Sequence, residues 1–360
     1  MHAAVRGPAV HVLVPGTLDT RTGGYGYDRE IVAGLERRGW RVRVLEIPGE
    51  FPFPAAESRA AAAQALAAVP DGAAVVVDGL ALGALPDEAE REAARLRLIA
   101  LVHHPLADET GLAADARDRL EASERRALAA VRRVVVTSPR TAAALERYGV
   151  ARSSVTVIEP GTDPAPQARG SSGRDAQNAT VELLCVATIV PRKGHDVLVR
   201  ALAAMDDASW HLTCVGGLDR DEAWTASVRA QVAAAGLESR IAFVGELERA
   251  PLDGRYDAAD VFVLPTWYEG YGMAVAEALA RGLPVVSTAT GAIADLVAGD
   301  AGLLVPAGDV ESLTRALSAV VTDRALRARL AAGARQAGTR LRSWDDAAAL
   351  MAHTIEDVDG

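Results

Sequence analysis

A chain of 360 residues is too long for one ordinary hydrophobic core, and length alone predicts two α/β domains. Half of the residues are hydrophobic, 24% are charged and only 4% are aromatic, the composition of a soluble globular protein with aliphatic cores and alanine-rich helices. A formal net charge of -10 argues against nucleic acid as the principal ligand, because a phosphate backbone demands a large basic surface.

In chain order, the first half alternates short apolar runs with longer periodic segments. Val10–Val14, Val42–Ile47, Ala74–Val77, Leu98–Val102, Val134–Thr137 and Val155–Ile158 read as strands. Tyr27–Arg38, Ala56–Ala68 and Arg117–Val131 read as helices between them. Residues 160–180 break the pattern with a polar run rich in Pro, Gly and Ser, which is linker composition. The alternation then restarts with strands Val181–Ala187, His211–Val215, Ile241–Val244, Val261–Pro265, Leu283–Ser287 and Gly302–Val305. Helices are expected at His195–Met205, Trp224–Ala235, Met273–Ala280, Val310–Thr322 and Ala325–Ala337. Such alternation predicts two open, doubly wound parallel sheets, residues 1–165 and 180–341, facing each other across a cleft. The remaining segment, 342–360, has helical spacing at Trp344, Ala348, Met351 and Ile355 and is expected to pack back on the first domain.

No apolar run reaches the roughly 18 residues of a membrane span, and Ala9–Pro15 reads as a strand rather than part of a signal peptide. The expectation is a cytoplasmic protein, with peripheral membrane contact left open. Cys185 and Cys214 each lie inside an apolar strand and read as buried reduced thiols. Asp219–Arg220–Asp221 reads as a solvated acidic loop.

Three places carry chemistry. After the first strand, Pro15, Gly16 and Thr22–Gly26 open a helix near Asp28, an arrangement that suits a plain tight loop as well as a phosphate cradle. In the second half, strand Leu184–Ala187 runs through Pro191–Arg192–Lys193–Gly194 into a helix. Lys193 is the only lysine among 38 basic residues. An ammonium and a guanidinium beside a helix N-terminus suit a diphosphate. The third place is Trp267–Glu277, where Glu269 and Glu277 stand eight apart with Gly270 and Gly272 between them. Bare backbone there can bond sugar hydroxyls or phosphate, and the carboxylates can accept from hydroxyl pairs. His103–His104, at a strand end before Pro105, is open between a structural and a functional role.

The E-x7-E spacing and the segments TGGYGYDREIVAGLERRGWRV, LVHHPLADETG, PRKGHDVLVRAL and YEGYGMAVAEALARGLPVV resemble, in order, the blocks of retaining glycosyltransferases of family 4, group 1. The resemblance spans nearly the whole chain and implies a GT-B fold. It implies that Lys193, with Arg192, pairs with the donor diphosphate. Glu269 would contact the transferred sugar amid backbone donors of Gly270, Tyr271, Gly272 and Met273, and Glu277 would hold the ribose. Gly23 and Gly24 would face phosphates or acceptor, and His103 would lie near the reacting carbon. The donor base would rest by Gly245–Glu246–Leu247, and the acceptor by Tyr25, Asp28, Asp78–Gly79 and His103–Gly111. One departure stands out: the family commonly carries Gly-Arg where this chain has Ala187–Thr188.

The expected reaction is sugar transfer from a nucleoside diphosphate, UDP first among them and GDP next, with retention and no metal or other cofactor. The acceptor, whether glycan, lipid or small metabolite, is not legible. A sugar-nucleotide 2-epimerase on the same fold is the alternative, followed by a catalytically silent nucleotide-binding module. A Rossmann oxidoreductase ranks last because the G-x-G-x-x-G fingerprint is missing.

Overall fold

The structure, a computed structural model, describes residues 7–173, 180–205 and 209–358. It divides into two compact units. The first comprises the chain up to Gly161 together with the segment from Arg342, and the second runs Thr162–Leu341.

The first unit contains β1 (Ala9–Pro15), α1 (Gly23–Arg37), β2 (Arg41–Ile47), α2 (Ala56–Ala67), β3 (Ala74–Asp78), α3 (Gly79–Leu82), α4 (Pro86–Glu92), β4 (Arg97–Val102), α5 (Ala114–Ala129), β5 (Arg133–Val136), α6 (Pro139–Ala144) and β6 (Val155–Val157). Its strands are all parallel, in the order β2-β1-β3-β4-β5-β6. Helices cover both faces, which is why β3 and β4 are nearly continuous Val, Leu, Ile and Ala and are buried along almost their whole length. The direction of winding reverses between β1 and β3, and side chains at the carboxyl ends of those strands therefore border a crevice.

The second unit contains β7 (Val181–Val186), α7 (His195–Ala203), β8 (Trp210–Val215), α8 (Glu222–Ala234), β9 (Ile241–Phe243), α9 (Arg249–Ala258), β10 (Val261–Leu264), α10 (Met273–Ala280), β11 (Val285–Thr288), α11 (Ile293–Leu296), β12 (Gly302–Val305), α12 (Val310–Thr322) and α13 (Arg324–Gly338). Its parallel order, β12-β11-β10-β7-β8-β9, is that of a dinucleotide-binding sheet, and here the reversal falls between β7 and β10. Cys185 and Cys214 pair in register across β7 and β8 as buried free thiols. Asp219–Arg220–Asp221 lies in a turn with Asp219 and Arg220 exposed, and the Asp221 carboxylate accepts from the Trp224 N–H and caps α8.

Helix α14 (Trp344–Asp357) returns to the first unit and lies along α1. A capping box starts it, with Ser343 and Asp346 each satisfying the other's backbone N–H. Its buried stripe, Trp344, Ala347, Ala348, Met351 and Ile355, has helical spacing and packs on α1, where Trp344 meets the Tyr27 ring at 5.8 Å. Contact is closest at Gly34, where a Cβ would stand 2.4 Å from that of Ala348. Among the described residues, no helix is long and apolar enough to cross a membrane.

Several elements differ from the sequence expectation: the short helices α3, α4, α6 and α11 were not among those expected, and two larger differences stand beside them. Helix α1 starts at Gly23 rather than near Asp28, so Gly23, Gly24 and Tyr25 form its first turn. Helix α9 was not expected, because Pro251 and Gly254 interrupt its pattern. Pro251 is the third helical residue, where the backbone N–H has no intrahelical partner to lose. In the 160–180 stretch, Ala168 N–H donates to the Arg281 carbonyl at 2.9 Å and Arg169 pairs with Asp257. The linker centre, 174–179, lies outside the described residues.

Candidate functional site

In the second unit, the reversal point brings two loops together. After β7 the chain makes a short 3-10 turn, Pro191–Lys193, and enters α7 through Gly194. Gly194 has φ +71, and a Cβ would stand 2.0 Å from the Pro265 carbonyl oxygen, so only glycine lets this turn lie against the loop after β10. Trp267 N–H donates to the Arg192 carbonyl at 2.8 Å, and the Thr266 hydroxyl lies 2.9 Å from that same oxygen. Arg192 returns a bond from Nη1 to the Tyr268 carbonyl at 2.9 Å. The Lys193 ammonium then donates to Glu269 Oε1, with Arg192 Nη1 at 3.9 Å from the same oxygen.

This ion pair is largely removed from water, with Lys193 16% and Glu269 10% exposed in their side chains. Burial alone would raise the Glu269 pKa, but Lys193 and Arg192 outweigh it and hold the carboxyl below its ordinary range. For Lys193, burial lowers the pKa and Glu269 offsets only part of that. Two cations thus converge on one carboxylate beside the first turn of α7. That arrangement can exchange the carboxylate for phosphate oxygens while Glu269 turns to a hydroxyl.

Behind Glu269 the backbone is tightly fixed. Gly272, at φ +99, starts α10 and packs so closely that a Cβ would meet Ile293 Cδ1 at 2.6 Å. Ala292 N–H donates to the Glu269 carbonyl at 3.2 Å. Gly270 and Met273 flank this entrance, and Tyr271 is buried beside it. Glu277 lies further along α10, where Tyr256 Oη donates to its Oε2 at 3.0 Å and burial pushes its pKa up. Arg281 lies over the Tyr256 ring, 4.4 Å from its centroid, and bonds the Glu277 carbonyl and Asp253. Leu247 sits in the loop after β9, two strands from β7, partly buried on the apolar core.

The loops after β7, β8 and β9 are stitched together at the same sheet edge. Gly216 N–H donates to the Gly245 carbonyl at 2.9 Å, and Ile189 N–H to the Gly217 carbonyl at 3.0 Å. Thr188, where the family carries arginine, thus lies against glycines, and a Cβ on Gly216 would stand 2.8 Å from its nitrogen.

In the first unit, residues from three elements meet at the other reversal point. His103, at the end of β4, has Nε2 3.2 Å from Asp28 Oδ1 and 3.4 Å from Asp78 Oδ2. Gly24 lies over the ring, where a Cβ would be 3.3 Å from Cδ2. Tyr27 meets the ring edge-on at 5.4 Å. Burial works against the charged imidazole, but the two carboxylates win and raise His103 to about 10; burial likewise pushes Asp28 up. Gly24, Asp28 and His103 are therefore together, while Gly23 is exposed on the first turn and Tyr25 Oη bonds the Pro15 carbonyl. His104 turns to Glu109 at 3.3 Å.

Sequence reasoning missed Asp78 as the second partner of His103, and Tyr256 and Arg281 as the supports of Glu277. The signal for Asp78 was present, an acid at a strand end before glycine. That for Tyr256 was hidden with α9.

Comparison with known proteins bears on the family and the fold. The family "Glycosyl transferases group 1" matches residues 180–323, and "Glycosyltransferase Family 4" matches residues 79–166. Each half of the chain is thus similar to a glycosyltransferase family, of group 1 in the second unit and of family 4 in the first. Similar curated proteins include a D-inositol 3-phosphate glycosyltransferase of Xylanimonas cellulosilytica, 33% identical over 57% of this chain and 51% of that protein. The lipopolysaccharide core biosynthesis mannosyltransferase LpsB of Rhizobium meliloti is 33% identical over 53% of this chain and 56% of its own. The matches span about half the length of these curated relatives. Among solved structures, sucrose-phosphate synthase from Thermosynechococcus elongatus superimposes with a TM-score of 0.82 at 22% identity, covering 98% of this chain and 99% of that one. The Anabaena protein HepE in complex with UDP-glucose gives 0.78 at 19%, over 97% and 99%. At these identities the structural likeness is one of fold, and the fold is GT-B.

Proposed function

We propose that this chain transfers a hexose from a nucleoside diphosphate, UDP first and GDP second, to a hydroxyl acceptor with retention at the anomeric carbon. The observation that carries the reading is the Lys193–Glu269 pair, with Arg192 beside it, at the β7/β10 reversal point. In this reading the bond between the anomeric carbon and the diphosphate oxygen breaks as the acceptor oxygen attacks from the same face. The acceptor proton passes to the departing phosphate. Lys193, Arg192 and the first turn of α7 take up the charge of the leaving group, a task they can perform without a metal ion. Glu269 holds a hydroxyl of the transferred sugar and Glu277 the ribose. The relative HepE, whose structure contains UDP-glucose, supports UDP as the first donor to try.

The test is calorimetric titration with UDP, GDP and ADP on the wild-type protein and on Lys193→Ala. One nucleotide should bind and should lose about 100-fold or more in the variant. Retention is read from the anomeric proton coupling of the product, and metal independence from turnover in a chelator. Absence of binding to all three nucleotides would refute the donor site. An altered nucleotide sugar released without acceptor would identify an epimerase instead.

A further inference from the structure

Glu277 is held from inside the second unit. Tyr256, on α9, is wholly buried, and its Oη donates to Glu277 Oε2 at 3.0 Å, with the Ala274 carbonyl at 3.3 Å as the competing acceptor. A phenol has one proton to give, and an ionised oxygen at the shorter distance is the stronger acceptor. Among the described residues nothing bonds Glu277 Oε1. One carboxylate oxygen is thus committed to the protein and the other is left for a ligand.

The Tyr256 ring is itself clamped. Phe262 of β10 stacks against it at 6.2 Å between centroids, and the Arg281 guanidinium lies over it at 4.4 Å. Arg281 is 4% exposed, donates Nη1 to the Glu277 carbonyl at 2.9 Å and bonds Asp253 through Nη2. Arg249 Nε stands 3.2 Å from Asp253, and Arg249 Nη2 stands 3.3 Å from Asp163. Charges therefore alternate from Asp163 inward through Arg249 and Asp253 to Arg281. The outer pairs are exposed and contribute little. The inner bond, with Arg281 out of water, is the one that can hold a ring in place. A glutamate has three rotatable side-chain bonds, and ordering it when a ligand arrives costs rotamer entropy. The Tyr256 bond orders it beforehand, so a hydroxyl meets an acceptor already in position.

We propose, on the reading of Glu277 as the ribose acid, that Tyr256 and Arg281 are its positioning residues: Arg281 fixes the phenol ring, the phenol fixes Oε2, and Oε1 is thereby presented to the ribose hydroxyls of the nucleotide. Both residues are buried and act only through Glu277. Their effect is confined to nucleotides that have those hydroxyls, which separates positioning from a purely structural role.

The test is calorimetric titration of the full chain with UDP and 2′,3′-dideoxy-UDP, and with the matching GDP pair, on the wild type and on Tyr256→Phe. The phenylalanine keeps a ring under Arg281 and removes only the hydroxyl. One ribonucleotide should bind the wild type about 10-fold or more tighter than its dideoxy form. In Tyr256→Phe that ribonucleotide should lose about 5-fold or more, while the dideoxy form stays within about 2-fold. Equal losses for both forms, or no loss in either, would overturn the proposal. Asp253→Asn loosens Arg281 from the solvent side and should give the same selective pattern at smaller amplitude; it decides if Tyr256→Phe does not fold. A second readout needs no nucleotide. The Glu277 carboxyl is pushed up by burial and by Asp253 and held down by Tyr256, Arg249 and Arg281. Removing the phenol should therefore raise its carbon-13 titration midpoint, with Glu277→Gln identifying the signal. An unchanged midpoint would overturn the bond. A wild type that binds neither UDP nor GDP would refute the donor reading, and the carboxyl midpoint would then decide by itself whether Tyr256 positions Glu277.

Discussion

The backbone of Gly291 lies directly against the carbonyl of Glu269. A Cβ placed on Gly291 would stand 1.8 Å from that oxygen, and Gly291 has φ +51. The residue after it, Ala292, donates its N–H to the same carbonyl. A glycine far along the chain thus sets where the site's central carboxylate stands.

Gly291→Ala should therefore act on stability and on the site together. Strain at positive φ and a backbone clash predict a loss of about 2–4 kcal/mol. Thermal unfolding measures that loss. Turnover per folded molecule should also fall, because the Glu269 backbone must move to make room. A variant with lower stability and unchanged kcat would separate the two effects and disprove the coupling.

The Lys193–Glu269 pair should behave as a unit. Lys193→Ala strands a buried carboxylate with Arg192 at 3.9 Å as its remaining cation, and a loss of about 3 kcal/mol is expected. Adding Glu269→Gln should recover part of that loss, giving a coupling of about 1 kcal/mol or more in a double-mutant cycle of denaturant unfolding. Additive losses would mean that the two groups do not meet in solution. Lys193→Arg should not restore transfer, since a planar guanidinium does not replace a compact ammonium at a crowded site.

Glu124 on α5 predicts a pH dependence. Its Oε2 accepts from the Leu106 N–H at 2.9 Å, its Oε1 is buried with no hydrogen-bond partner among the described residues, and burial pushes its pKa up from 4.5 to about 7. The folded state then binds a proton more tightly than the unfolded chain, so this residue's contribution to stability falls as pH rises from about 4.5 to about 7. The shift corresponds to about 3 kcal/mol. Glu124→Gln removes that dependence, and its stability relative to the wild type should improve across the same window. Denaturant curves at pH 5 and pH 7.5 with an unchanged difference would disprove it.

Helix α14 supplies a simpler test. Ser343→Ala removes the capping box and should cost about 1 kcal/mol. Gly34→Val drives a side chain into Ala348, where even a Cβ would stand at 2.4 Å, and should cost more by separating α14 from α1. Loss of Trp344 burial on the first unit reads out both by fluorescence.

Much of this was legible in the sequence because the strands are buried on both faces, and such strands show as unbroken apolar runs. Val75–Val77 and Phe262–Leu264 are of that kind. Elements whose stability is tertiary were not legible. Helix α9 carries Pro251 and Gly254 and is fixed by Tyr256, which is wholly buried against the core. The loop containing Lys193 was legible because a lone lysine before glycine stands out, whereas Asp78, an acid visible at a strand end before glycine, was not legible as a partner of His103, because nothing local shows that Asp28 and His103 will converge on it. The position of Gly291 against Glu269 is likewise a product of the folded sheet.

The return of α14 has a consequence for the order of events on the ribosome. Residues Thr162–Leu341 emerge as a continuous stretch that can close its own sheet. The first unit emerges earlier but lacks the segment from Arg342, so the stripe of α1 around Tyr27 and Gly34 stays uncovered until the last turns of helix are made. Translation therefore delivers the half that starts first as the half that finishes last, and a chain released early would expose an apolar seam on an otherwise assembled sheet.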